Sequence, residues 1–297
     1  MVASTGSEKG DTDLKVFINI LGQVLLRRRF GPLSVIAGLV LAPLWQLYKR
    51  LIGRPVVITT YKGTKFRLDC NSITSSRFVY ERKPDFEFVS VLASFADEKT
   101  AFVDVGGNVG LFTVLLCRDF QKGWLFEPNP VAAAAARRNL DLNDMAGTFE
   151  VVEAAVGKED GAVQFPVLDT PDPVARIGTP GSTGKMMEVR MLHLDGFLPS
   201  DGSYVVKIDA EGHDAEVIAG FKGAFSEKRV KIALFECKTD DILAEVLGIV
   251  CPLGYEVRDG ERPLTSPVVD RNRDLFIIRA DLAERYDQVL RSARAAA

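Results

Sequence analysis

The sequence predicts an α/β fold with a mostly parallel sheet and helices on both of its faces. Three observations carry that expectation. Short apolar runs that read as buried strands alternate with helix-spaced segments; a glycine turn joins the first of these runs to a helix; and the last two runs lie close together across a polar connection.

Taken in order, residues 1–13 are small and polar, with too little apolar surface to offset the entropy of ordering, and read as a loose tail. Leu14, Phe17, Ile18, Leu21 and Leu25 then recur at helical spacing ahead of Arg27-Arg28-Arg29, cations suited to a helix C-terminus. Residues 30–48 carry no charge and approach the ~20 apolar residues that span a bilayer. The helix breakers and Gln46 within them favour a helix docked on the α/β domain and kinked at Pro43. Peripheral membrane contact, with Trp45 and Tyr48 at headgroup level, ranks second, and a true span third. Residues 55–69 alternate β-branched or aromatic residues around Lys62-Gly63, which predicts a hairpin, and 86–92 have helical apolar spacing.

The strand candidates of the main domain are residues 101–105, 124–126, 149–152, 204–208 and 232–235, with an alanine-rich crossover helix over Val131–Leu140. Residues 255–257 and 274–278 are expected to form an antiparallel pair at the edge. Between Gly157 and Ser203 the pattern breaks into proline and glycine around two strand-like pieces, 163–165 and 189–192, an excursion suited to substrate recognition. The expected divisions are 1–53 for tail and apolar helices, 54–98 for hairpin and helix lead-in, 99–280 for the main domain and 281–297 for a C-terminal helical tail.

Composition narrows the function classes. The 297 residues are 47% hydrophobic and 26% charged, a globular composition, and 37 Lys and Arg against 40 Asp and Glu give a net charge of -3. That is no basic field for nucleic acid. Cys70, Cys117, Cys237 and Cys251 are too far apart for a disulfide framework or a zinc site, and the N-terminus lacks a signal-like cationic start, so a cytoplasmic location is expected, with or without membrane association.

The chemistry concentrates at two strand ends. Asp104 precedes Gly106-Gly107-Asn108-Val109-Gly110, and Glu127 ends the next strand, where its carboxylate suits the two ribose hydroxyls of an adenosine. Aligned with a dinucleotide-binding G-x-G-x-x-G, Gly107 and Gly110 fit but Val105 stands at the first glycine, and Asp104 would repel a pyrophosphate. S-adenosylmethionine carries no phosphate and has an ammonium that Asp104 could hold directly or through water. The second concentration is Lys207-Ile-Asp209-Ala-Glu211-Gly-His213. Period-two alternation puts Lys207, Asp209 and Glu211 on one side, and Asp209 or His213 could act as general base toward a hydroxyl. A divalent ion such as magnesium on Asp209, Glu211, His213 and Glu236 is the less favoured arrangement. His193 reads as a strand residue and Asp195 as a cap for the segment that follows it.

As an ordered set, residues 102–113, Phe126-Glu-Pro-Asn-Pro130, Asn139-Leu-Asp-Leu-Asn143, Ala154-Ala-Val-Gly157 and Lys207–His213 resemble the FkbM-type methyltransferases over residues 70–280. The resemblance implies a Rossmann-like class I methyltransferase fold with a seven-stranded sheet, S-adenosylmethionine as donor, and a hydroxyl acceptor on a sugar, glycolipid or related metabolite. It places Asp104, Gly106, Asn108 and Gly110 at the methionine end, Glu127 and Asn129 at the ribose, and Asn143 with Ala154 at the adenine. Gly107 stands where alanine is more usual, which could loosen the turn, and Asp214 where glutamate is more usual. Two other readings stay open: an NAD(P)-dependent oxidoreductase, and a membrane-docked protein that binds the cofactor without turnover. The acceptor's identity and the oligomeric state are not legible.

Overall fold

The computed structural model describes residues 32–167, 185–266 and 273–296; the expected tail and the helix over 14–29 lie outside them. The chain enters through α1 (Pro32–Leu51), which continues through Pro43. A hairpin of β1 (Val56–Thr59) and β2 (Lys65–Leu68) follows, turning at residues 60–64. Two short helices, α2 (Ile73–Tyr80) and α3 (Phe86–Ser94), lead into the main sheet.

That sheet is built from β3 (Thr100–Val105), β4 (Gly123–Phe126), β5 (Phe149–Val152), β9 (Ser203–Ile208), β10 (Val230–Cys237), β11 (Tyr255–Asp259), β12 (Arg262–Leu264) and β13 (Arg273–Arg279), in the order β12-β11-β13-β10-β9-β3-β4-β5. The five strands from β10 to β5 are parallel, and β13 runs antiparallel between β10 and β11. The class is the expected one, but the strand count is eight rather than seven. The extra strand, β12, is three residues long and contains Pro263, so it pairs only with β11 and ends the sheet.

Period-two alternation sorts the central strands onto two cores. Val103, Val206 and Phe235 face one core, with Val217, Phe221, Phe225 and Leu243 from α7 (Asp214–Ala219), the segment before and within α8 (Lys222–Ser226), and α9 (Asp240–Val250). Phe102, Val205, Leu234 and Phe276 face the other, against Val89, Val114, Leu115, Tyr286 and Leu290 from α3, α4 (Leu111–Leu116) and α10 (Ala283–Ala296). Burial on both faces is why these strands read as continuous apolar runs. The stretch after residue 154 forms a second sheet of β6 (Ala155–Val156), β7 (Gly161–Val167) and β8 (Lys185–Leu192). Asp195 lies inside the short helix α6 (Leu194–Phe197) and does not cap it; its two oxygens accept the N–H groups of Gly223 (2.6 Å) and Ala224 (2.9 Å) at the start of α8.

The apolar helix docks as expected, on α2, but through its small side. Ser34, Gly38, Ala42 and Trp45 are buried, and Trp45 Nε1 donates to Ser76 Oγ at 3.1 Å. Trp45 is therefore packed inside rather than set at a headgroup layer. No helix among the described residues is long and apolar enough to cross a membrane.

Candidate active site

A cavity of about 300 Å³ opens at the C-terminal ends of β3, β4 and β9, where the strand order changes direction. The turn after β3 forms its floor. Gly106, Asn108 and Gly110 all have positive φ, and a Cβ on Gly106 would stand 2.0 Å from the carbonyl oxygen of Asp209, so no other residue fits there. At Gly107 the space a methyl would need holds Leu125, 2.3 Å from the ideal Cβ; the glycine is matched by its neighbour rather than a loosened position.

Every N–H of that turn has an internal acceptor. Gly106 and Gly107 donate to Phe126 O, Gly110 to Gly107 O, Val109 to Asn108 Oδ1, and Asn108 to Glu127 Oε2 at 2.9 Å. The turn itself therefore offers no free N–H, and the backbone donors left beside the cavity are those of Leu111 and Phe112 at the start of α4. Glu127 is held from both sides, because Oε1 accepts the N–H of Asn129 at 2.8 Å. Burial pushes its carboxyl up to about 7, against the pull of those two N–H donors. Asn129 in turn caps α5 (Pro130–Asp141), accepting from Val131 N at 3.0 Å with Pro130 at the first helical position.

Asp104 and Lys207 lie under the floor. Asp104 is fully buried, Oδ2 accepts from Thr113 Oγ1 at 2.6 Å, and Oδ1, 3.6 Å from Lys207 Nζ, has no hydrogen-bond partner. Burial raises the Asp104 carboxyl above its ordinary range, with Lys207 pulling the other way. Lys207 donates to Gly106 O (3.1 Å) and reaches Asp209 Oδ2 at 3.3 Å. Burial works against its charge, but Asp209 and Asp104 more than offset that and hold it protonated. Asp209 follows the end of β9 with its side chain 42% exposed at the cavity.

Of the residues the sequence singled out, Gly106, Gly107, Asn108, Glu127, Asn129, Ala154, Lys207, Asp209 and Glu211 line the cavity. The others do not. Asn143 is a clamp: it accepts from Lys65 N (2.8 Å) and donates to Lys65 O and Asn139 O. Asn139 does the same one turn earlier, accepting from Arg67 N and donating to Val109 O, so the pair fastens the hairpin to α5 and to the glycine turn. His213 lies outside the cavity, 3.9 Å from Glu216. Because β9 ends at Ile208, Glu211 departs from the alternation; it takes a positive φ and pairs with Lys238 (2.6 Å), which Glu236 shares at 2.7 Å. Among the described residues no three His, Cys, Asp or Glu side chains are grouped to hold a metal ion.

The sequence reading missed Arg77. It lines the cavity beside Ile73 and Thr74, gripped by Glu81 (2.8 Å) and Asp85 (2.6 Å). Its i,i+4 spacing to Glu81 was a signal, but Asp85 joins only because it sits in a left-handed conformation before α3 and turns its carboxylate to Arg77 instead of capping the helix.

Residues 104–257 match the model of the FkbM methyltransferase domain. The chain belongs to this family. It is a methyltransferase, and its relatives are distant. It is 24% identical over 234 residues to the hexuronic acid methyltransferase AglP of Haloferax volcanii, covering 77% of this chain and 90% of that one. It is 23% identical over 182 residues to Methyltransferase 1 of Beauveria bassiana, covering 52% and 72%. The crystal structure of methyltransferase FkbM from Methylobacillus flagellatus KT aligns with a TM-score of 0.43 at 14% identity, over 80% of this chain and 58% of that one.

Proposed function

We propose that the chain transfers a methyl group from S-adenosylmethionine to a hydroxyl of a sugar or glycolipid. The observation that carries this is the glycine turn whose N–H groups are all engaged while a carboxylate, Glu127, is presented at its edge. A glycine turn with no free N–H beside several carboxylates suits a cationic nucleoside. Asp104 Oδ1, buried and without a hydrogen-bond partner, adds a second acceptor beneath the floor. The name of the Haloferax relative supports a sugar acid or related sugar as acceptor.

Glu127 would hold the ribose, since each of its oxygens accepts one backbone N–H and keeps a lone pair for a hydroxyl. Bound there, the donor supplies a methyl group made electrophilic by a positive sulfur. Lys207 fixes the rotamer of Asp209 from below. Asp209, at the cavity and carrying a carboxylate, takes the proton of the acceptor hydroxyl. The test is transfer of labelled methyl into separate polysaccharide and lipid extracts by the whole protein. Incorporation into one of them, lost in Asp209→Asn, supports the reading; cofactor binding with no incorporation into either would leave a binding protein instead.

A further inference from the structure

Helix α1 is mostly apolar, yet apart from Trp45 it turns small residues inward and its leucines, Ile36 and Val40 outward. Leu33, Ile36, Val40, Leu44, Leu47 and Leu51 follow one another at 3.6-residue spacing on the side opposite Ser34, Gly38, Ala42 and Trp45, and all six are exposed, Leu33 at 79% and Leu51 at 75%. A helix that only completes a core does the reverse. Among the described residues, every exposed large apolar side chain except Met186 and Met187 lies on this helix or on residues 52–73 just after it. A contiguous surface of this kind marks a binding face.

Charge says what covers it. Of the described residues, 32–68 contain six Lys and Arg and no Asp or Glu, although the whole chain is net negative, and two of the six, Lys62 and Arg67, pair with Asp119 and Asp69. Lys49 and Arg50 close the helix and Arg54 follows, none of them in an ion pair among the described residues. Apolar residues in one plane, bounded by bases, match an anionic bilayer surface. Ile73, at the start of the helix α2 on which α1 packs, is exposed and also part of the cavity lining.

We propose that α1 lies along an anionic bilayer with its outer stripe among the acyl chains, so that the cavity mouth meets the headgroup layer and receives a membrane-borne acceptor. The choice of acceptor rests on the methyl-transfer reading above; the docking does not. The whole protein is sedimented with vesicles of phosphatidylcholine alone and with about 30% phosphatidylglycerol added. The expected result is partitioning at least about tenfold stronger onto the anionic vesicles, weakened by salt. Val40→Glu/Leu44→Glu/Leu47→Glu should abolish it, and Arg50→Glu/Arg54→Glu should cut it about tenfold, both with S-adenosylhomocysteine affinity unchanged. Should the triple variant fail to fold, the arginine pair and the salt dependence still decide. The proposal is overturned if the protein stays in solution with anionic vesicles or if the variants partition like the parent. A dimer that dissociates on the triple substitution without vesicle binding would also overturn it, since a second copy would then cover the face. Failure of docking leaves methyl transfer to extracted acceptors untouched, so the two readings fail separately.

Discussion

The N–H of Asn108 donates to Glu127 Oε2 at 2.9 Å, tying the turn after β3 to the end of β4. One bond thus sets the orientation of the carboxylate and removes a backbone donor from the cavity floor. The same geometry that makes the site poor for phosphate makes it ready for ribose hydroxyls.

Glu127→Gln should weaken S-adenosylhomocysteine about 10- to 100-fold, the loss expected when charge-assisted hydrogen bonds become neutral ones. The wild-type affinity should also depend on pH. With the carboxyl at about 7 and ligand hydroxyls favouring its ionised form, affinity rises by about tenfold per unit up to pH about 7 and then levels off. Titration calorimetry across that range should show the slope in the wild type and its absence in Glu127→Gln.

Asp209→Asn should lower kcat by about 10²- to 10⁴-fold with S-adenosylhomocysteine affinity within about twofold, as a lost proton acceptor does. His213→Ala should leave both nearly unchanged, because His213 lies outside the cavity. Steady-state rates with matched calorimetry separate the two residues.

Gly106→Ala should cost about 1–3 kcal/mol and most of the cofactor affinity, since the new methyl meets a backbone carbonyl and φ is positive. Gly107→Ala meets the side chain of buried Leu125 rather than backbone, and its φ is not positive, so it should cost less. Denaturant midpoints of the two variants give the order; equal losses would contradict the packing described.

Asp214 makes the fold itself sensitive to pH. It is buried behind the site and accepts N–H groups from Gly212 (3.1 Å) and Ala210 (3.4 Å), and burial pushes its carboxyl up to about 7. The native state therefore keeps a proton that the unfolded chain releases near pH ~4. Its contribution to stability is fully present below pH ~4, declines as pH rises and is gone above about 7. Urea unfolding between pH 5 and 8 should show that decline become shallower in Asp214→Asn.

The sheet was legible because burial on both faces writes its central strands as unbroken apolar runs, and the glycine turn because positive φ and the close approach of Asp209 restrict Gly106 and Gly110. The Asn139 and Asn143 clamp was not, since its partners Arg67 and Lys65 lie 72 and 78 residues away and nothing local marks the pairing. The resemblance pointed to those asparagines, Asn143 at the adenine, and the structure engages both in the scaffold. The outward face of α1 was hidden for another reason: a mostly apolar helix has little periodicity to say which side is inside. Asp104 was read as a ligand residue from its place before the turn; its hydrogen bond from Thr113, nine residues on along the following helix, was not legible from that place.

The central claim is that a carboxylate-lined floor whose glycine-turn N–H groups are all engaged selects a sulfonium nucleoside over a dinucleotide. Calorimetric titration of the whole protein with S-adenosylhomocysteine and, separately, with NADH tests it most directly. Saturable 1:1 binding of the former, weakened in Glu127→Gln, with no heat from the latter is the predicted result; NADH binding, or silence with S-adenosylhomocysteine, would contradict it.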